Sequence, residues 1–280
     1  MIQSTQSKLT QSKFLRLFIL ELLILVSVLA VNACSAPTPS RSSNTDVLRV
    51  AIAPNYPPFA FKSAEGKLQG FEIDLMDAFG ATQNLQIEFK QVPVFDDVIR
   101  ELYGRQVDAA IAAITITGER QQIFSFSRPY FKSGVAIAIR ESTTEITDLN
   151  SLKNKRIGVE AGTTGADAAR TIPGAEIIGY DSVTMAWKEL LQGHVDAVIS
   201  GETSTRYAVS QGSVRGMKIA GEPIEEEFLG IATPKGSAQL ETINAGLAKL
   251  INSSTYATIY RRWFDAEPSA LPNSVSAVRN

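Results

Sequence analysis

Short apolar runs of strand length alternate along this chain with longer mixed stretches that close on glycine. Two such stretches echo one another. "RELYGRQVDAAIAA" (Arg100–Ala113) and "KELLQGHVDAVISG" (Lys188–Gly201) share Glu-Leu and Val-Asp-Ala at a constant offset of 88 residues, with no gap. Each reads as a helix, a polar turn at Gly104 or Gly193, and a short apolar strand. A weaker echo pairs "LRVAIA" (Leu48–Ala53) with "KRIGVE" (Lys155–Glu160), each a β-rich strand followed by a Gly/Pro/Thr loop. The chain therefore contains two similar α/β units with mostly parallel sheets flanked by helices. Ligands of such sheets bind where strand ends meet helix N-termini. Two units facing each other make a cleft between their strand ends.

The ends of the chain break this pattern. Lys8, Lys13 and Arg16 precede the apolar run "LLILVSVLAV" (Leu22–Val31), and small residues with a cysteine follow in "VNAC". That layout is a secretory signal peptide. A membrane span is the alternative, but Glu21 interrupts the apolar run and a charge is costly in lipid. "VNAC" resembles a lipobox, which makes residues 1–33 a lipoprotein signal and Cys34 the lipidated first residue, a membrane anchor. Residues 34–46, rich in Ser, Pro and Thr, read as a flexible tether. Residues 267–280 read as a disordered tail.

Composition narrows the function. The 280 residues carry a formal net charge of -2 and no basic block, so nucleic acid is not a partner. One histidine and one cysteine cannot build a thiolate or imidazole metal site, nor an intrachain disulfide. No cofactor is expected.

Two loops carry candidate chemistry. "AAITITGERQQ" (Ala112–Gln122) reads as the end of a strand spanning 109–116 that turns into the next element. Thr117 is a helix N-cap there. Thr115 and Arg120 sit at the functional end of the sheet, and an arginine fork binds a carboxylate bidentately. "VEAGTTGADAAR" (Val159–Arg170) is a strand end, a Gly/Thr loop and an Ala-rich helix, whose free N–H groups and hydroxyls favour an anion. It lacks the lysine of a phosphate-binding P-loop, so a single carboxylate fits better.

Several blocks then carry a resemblance. "GFEIDLMDAFG" (Gly70–Gly80), "ITITGER", "RPYFKSG" (Arg128–Gly134), "GVEAGTTG" (Gly158–Gly165), "FLGIATPKGS" (Phe228–Ser237) and "YRRWF" (Tyr260–Phe264) occur in the order found in bacterial extracellular solute-binding proteins of family 3. The chain resembles these polar-amino-acid receptors of ABC importers from about Leu48 to Phe264. The resemblance implies a type II periplasmic binding protein-like α/β fold, with two lobes closing by a hinge on a cleft. Lobe one would be 47–131 plus 226–266, and lobe two 132–225. It implies a monomer that captures an amino acid or similar small carboxylate and delivers it to ABC permease subunits.

The same resemblance implies a site. Tyr56 and Phe95 would wall the ligand side chain, Ala113 would offer its carbonyl to the ammonium and Thr115 its hydroxyl. Arg120 would grip the α-carboxylate, with Thr163 and Thr164 adding donors from lobe two. Two departures stand out. Gly201 occupies the position where many members have an ammonium-binding aspartate, so either Glu202 takes that role or the ligand is not a standard α-amino acid. Ala53 stands where several have another aspartate. Glu160 lines the loop entrance and is a candidate for facing a cationic side chain. His194 reads as exposed, Trp187 and Trp263 as core, and Glu225–Glu227 as a solvated face.

Two rival functions remain open. Cyclohexadienyl dehydratases resemble the same family, and Glu160 or Glu202 would serve as their acid. A solute sensor is the other, although no cytoplasmic domain is visible in the sequence.

Overall fold

The same clamp is built twice. Arg49 donates from its backbone N to Asp108 Oδ2 at 2.9 Å, and from Nε and Nη2 to the two carboxylate oxygens at 3.1 and 2.9 Å. Arg156 does the same to Asp196, from N at 2.9 Å, Nε at 3.3 Å and Nη2 at 2.8 Å. The aspartate of each Val-Asp-Ala repeat therefore fastens the start of a neighbouring strand through a bidentate fork. The echoed aspartates are architectural, and neither lines the cavity between the lobes.

The computed structural model describes residues 46–211 and 214–277. The signal segment, Cys34 and nearly all of the tether lie outside the described residues. Strand β1 (Asp46–Ile52) pairs in parallel with β5 (Leu85–Gln91) and β6 (Ala109–Ala110). Antiparallel β13 (Ala232–Pro234) and β7 (Phe124–Phe126) complete the first sheet, in the order β5-β1-β6-β13-β7. In the second sheet β9 (Arg156–Glu160) runs parallel to β10 (Glu176–Tyr180) and β11 (Ala197–Gly201). Long β8 (Phe131–Arg140) and β12 (Met217–Leu229) follow antiparallel, giving β10-β9-β11-β8-β12. Between β1 and β5, β2 (Asn55–Tyr56), β3 (Ala60–Lys62) and β4 (Leu68–Gln69) form a small antiparallel sheet.

Both large sheets are mixed rather than mostly parallel. In the first the cause is antiparallel β13 and β7; in the second it lies in β8 and β12. They pair with each other from Phe131↔Leu229 to Arg140↔Met217, with a register shift between Ala220 and Glu225. Phe131 and Leu229, at one end of this ribbon, are buried in the first lobe's core. Val135, Ile137, Ile139 and Ala220 are buried in the second lobe's core. Two chain segments thus run side by side between the lobes, β8 antiparallel to β11 and β12 antiparallel to β8. This is a type II two-lobed α/β fold.

Helices cover the sheets through apolar faces. α1 (Phe71–Gln83) buries Phe71, Leu75 and Phe79. Phe71 sits among the rings of Phe131, Tyr256, Tyr260 and Phe264, at centroid distances of 5.2–6.1 Å. Edge-to-face aromatic pairs of this kind add to ordinary burial. The tail is ordered where it meets this lobe. Leu271 and Val275 pack on its two apolar clusters, and Arg128 Nη2 donates to Asn273 Oδ1 at 2.9 Å. The expectation of disorder from residue 267 overlooked these two apolar anchors; residues 278–280 lie outside the described residues.

Candidate ligand-binding site

The lobes face each other across a cavity whose empty space, with its opening to solvent, is about 620 Å³. Of the nine residues the sequence placed there, eight line it: Tyr56, Phe95, Ala113, Thr115, Arg120, Glu160, Thr163 and Thr164. Glu202 does not. It begins the helix Glu202–Ser210, pairs with Arg206 one turn on at 2.5 Å, and borders a different groove behind the β8–β12 ribbon. A helix-start carboxylate finds its local cation by i,i+4 spacing.

Arg120 is set by its own short helix. Thr117 caps α3 (Gly118–Ile123), and its Oγ1 accepts from the backbone N of Arg120 at 3.2 Å. Arg120 Nη1 then donates to the Thr115 carbonyl at 3.0 Å, and Nη2 to the Gly162 carbonyl of the opposite lobe at 3.0 Å. Its guanidinium lies 5.3 Å from the ring centroid of Phe95, at the start of α2 (Phe95–Tyr103), a cation–π distance. Burial pushes the Arg120 pKa down. No carboxylate of the described residues forms an ion pair with it.

The strand expected over 109–116 is shorter. Only Ala109–Ala110 pair as β6, and Thr115 makes an isolated bridge to Leu229. Ala113 has left-handed φ of 49°. A buried carboxylate accounts for the break: Ala113 N donates to Glu72 Oε1 at 2.7 Å, and the Tyr130 hydroxyl donates to the same oxygen. Glu72, fully buried, has its pKa pushed up to about 7 by burial. It shapes the floor of the site from below. The acidic position inside "GFEIDL" was its only sequence signal.

Two further carboxylates face the cavity. Glu160, 7% exposed at the end of β9, has its pKa raised to about 7 by burial, and nearby Asp96 adds to the rise. Glu227, also 7% exposed, corrects the reading of Glu225–Glu227 as a solvated face. It pairs with Ser133 on the β8–β12 ribbon and lines the cavity, with Oε1 unpartnered. Burial raises its pKa, while Thr164, Arg120 and Thr115 pull it back. Strand alternation explains the split: neighbouring Glu226 pairs with Lys132 at 2.5 Å on the other face.

Thr163 differs from its expected role. It caps α4 (Thr164–Arg170), accepting from Ala166 N at 3.3 Å and donating to the Glu160 carbonyl at 2.8 Å. Its hydroxyl is occupied by the loop, whereas the Thr164 side chain is turned to Glu227. Tyr56 crosses the cleft and packs on the second lobe's cluster. Its hydroxyl stands where a Cβ on Gly201 would be, so any side chain at 201 would have to displace the tyrosine. Beside it, the Ser204 hydroxyl donates to the Pro57 carbonyl at 2.6 Å. Trp187 is buried, Trp263 is half-buried with Nε1 on Asp74 at 2.8 Å, and His194 is exposed.

Comparison with known proteins agrees with this architecture. Residues 48–266 match the family model for bacterial extracellular solute-binding proteins, family 3. A probable histidine-binding protein of Neisseria gonorrhoeae is 30% identical, over 86% of this chain and 93% of its own. Among solved structures, an ancestral arginine-binding protein bound to arginine is 37% identical with a TM-score of 0.74, covering 78% of this chain and 98% of its own. The arginine-, lysine-, histidine-binding protein of Geobacillus stearothermophilus is 32% identical with a TM-score of 0.76, covering 80% and 97%. The chain belongs to the bacterial extracellular solute-binding proteins of family 3.

Proposed function

We propose that this protein captures an amino acid with a cationic side chain, arginine, lysine or histidine, and hands it to the permease of an ABC importer. One observation carries the ligand class. The cavity is lined by one half-buried cation, Arg120, and two buried carboxylates, Glu160 and Glu227, none of them in an ion pair among the described residues. Buried charges require partners. A zwitterionic head takes up one charge of each sign, which leaves one carboxylate for a positive side chain. Glu160 fills that role, between the Tyr56 and Phe95 walls. Arg120 takes the α-carboxylate with Thr115 and Thr164. Relatives named for histidine and arginine binding support the same class.

The lobes are 47–131 with 226–266, and 132–225, and the β8–β12 ribbon is their hinge. The protein acts as a monomer, exported by its signal peptide and held at the membrane by a lipid on Cys34. Mass spectrometry of the mature N-terminus tests the anchor: an unmodified chain starting elsewhere contradicts it. A thermal-shift panel tests the ligand. Arginine, lysine or histidine should raise the melting temperature, since a ligand at 100 times its Kd stabilises by about 2.7 kcal/mol. A rise with glutamate, and none with the basic amino acids, contradicts the assignment.

Glu160 also favours one second function. A cleft carboxylic acid with a pKa near 7 suits general acid chemistry, as a dehydratase would need. Glu202, the other acid candidate, lies outside the cleft.

A further inference from the structure

We propose that Glu227, on the interlobe ribbon, is the acceptor of the ligand's α-ammonium, a role that position 201 cannot fill in this protein. The proposal rests on the amino-acid ligand proposed above.

Geometry at two places carries it. At position 201, at the end of β11, the Tyr56 hydroxyl occupies the space a Cβ would need. A carboxylate there would have to expel the tyrosine from the cleft. Glu202 is turned away and held by Arg206. The end of β11 therefore offers no anion to a ligand.

Glu227 offers one. It is buried, it lines the cavity, and Oε1 has no hydrogen-bond partner. A desolvated carboxylate oxygen without a donor is costly unless something arrives to fill it. Arg120 is close enough to influence Glu227, yet the two form no ion pair. The guanidinium instead donates to the carbonyls of Thr115 and Gly162. A buried carboxylate and a half-buried guanidinium held near each other but apart suit a molecule that carries both charges on adjacent groups. An α-amino acid head fits: carboxylate to Arg120, ammonium to Glu227. Thr115 and Thr164 flank Glu227 from the two lobes, so the acceptor is bracketed when the cleft is closed. Glu227 sits opposite Ser133 in the ribbon itself. Ammonium recognition would thus be made on the hinge, rather than on either lobe's strand ends.

The alternative acceptor is Glu160, and the test separates the two. Arginine and 5-guanidinopentanoate, which is arginine without its α-ammonium, are titrated calorimetrically into the parent, Glu227→Gln and Glu160→Gln. The parent should prefer arginine by about 100-fold or more. In Glu227→Gln that preference should shrink to within about threefold, with arginine weakened and the analogue nearly unaffected. Retained analogue binding also shows that the variant is folded. Glu160→Gln should weaken both compounds and keep the preference. If Glu227→Gln keeps the preference and Glu160→Gln loses it, Glu227 is not the acceptor. If the parent binds none of arginine, lysine or histidine, the ligand assignment fails first and this proposal falls with it.

Discussion

Arg120 Nη2 donates across the cleft to the carbonyl of Gly162, at 3.0 Å. The residue expected to hold the ligand thus also ties the lobes together. Gly162 permits this approach because it has a left-handed φ of 73° and because the Asp96 side chain presses where its Cβ would be. Gly162→Ala should therefore interfere with closure. A left-handed alanine costs about 1–2 kcal/mol, and displacing Asp96 adds to it. Arginine affinity should fall at least about tenfold, read by calorimetry. Unchanged affinity would mean that the loop contact does not belong to the ligand-bound form.

Affinity for a basic ligand should depend on pH. Below about 7 Glu160 is protonated, and it then offers no counter-charge to a cationic side chain. Arginine binding should weaken as pH falls from about 8 to about 5.5, by up to about tenfold per unit below 7. Glu160→Gln should reduce this dependence, leaving the share of Glu227, whose pKa burial also raises. The groups facing Glu160, Asp96 and the raised-pKa Tyr56, do not reverse the sign. A flat profile in the parent contradicts the role given to Glu160.

Glu72 gives a stability prediction. Burial raises its pKa from the ordinary 4.5 to about 7 in the fold. A raised carboxylate contributes its stability below the unfolded value and loses it as pH rises through about 7. The loss over that window is up to about 3 kcal/mol. Glu72→Gln keeps an acceptor for Ala113 N and Tyr130, so it should gain on the parent between pH 5 and about 8. Glu72→Leu strands both donors and should cost about 2–4 kcal/mol. Urea unfolding at the two pH values checks both.

The enzyme alternative is settled by turnover. Prephenate or arogenate incubated with the protein should show no change in absorbance over the control. Loss of the cyclic acid, abolished by Glu160→Gln, would make the protein a dehydratase.

Much of the site was legible because its chemistry is local. Thr117 reads as an N-cap, and it caps α3. Arg120 followed from its place after the strand, and "GTTG" from its glycines. What was missed depends on long-range contact. Glu227 looks like one of three solvated glutamates until β12 pairs with β8 and alternation turns it inward. The left-handed turn at Ala113 is imposed by Glu72, 41 residues away. Gly201 reads as a missing aspartate, and only Tyr56 reaching over from the other lobe explains it. The paired Val-Asp-Ala triplets were visible as a repeat, but their arginine partners belong to strands some 40 to 59 residues distant.

The central claim is that Arg120 holds the ligand's α-carboxylate, and calorimetric titration of arginine into Arg120→Ala tests it most directly. Removing one partner of a buried charge pair costs about 3–5 kcal/mol, so binding should weaken by about 100-fold or more. Circular dichroism should still show a folded protein, because the guanidinium serves the cleft and not the core. Arg120→Ala binding arginine within about threefold of the parent, or failing to fold, would contradict the account.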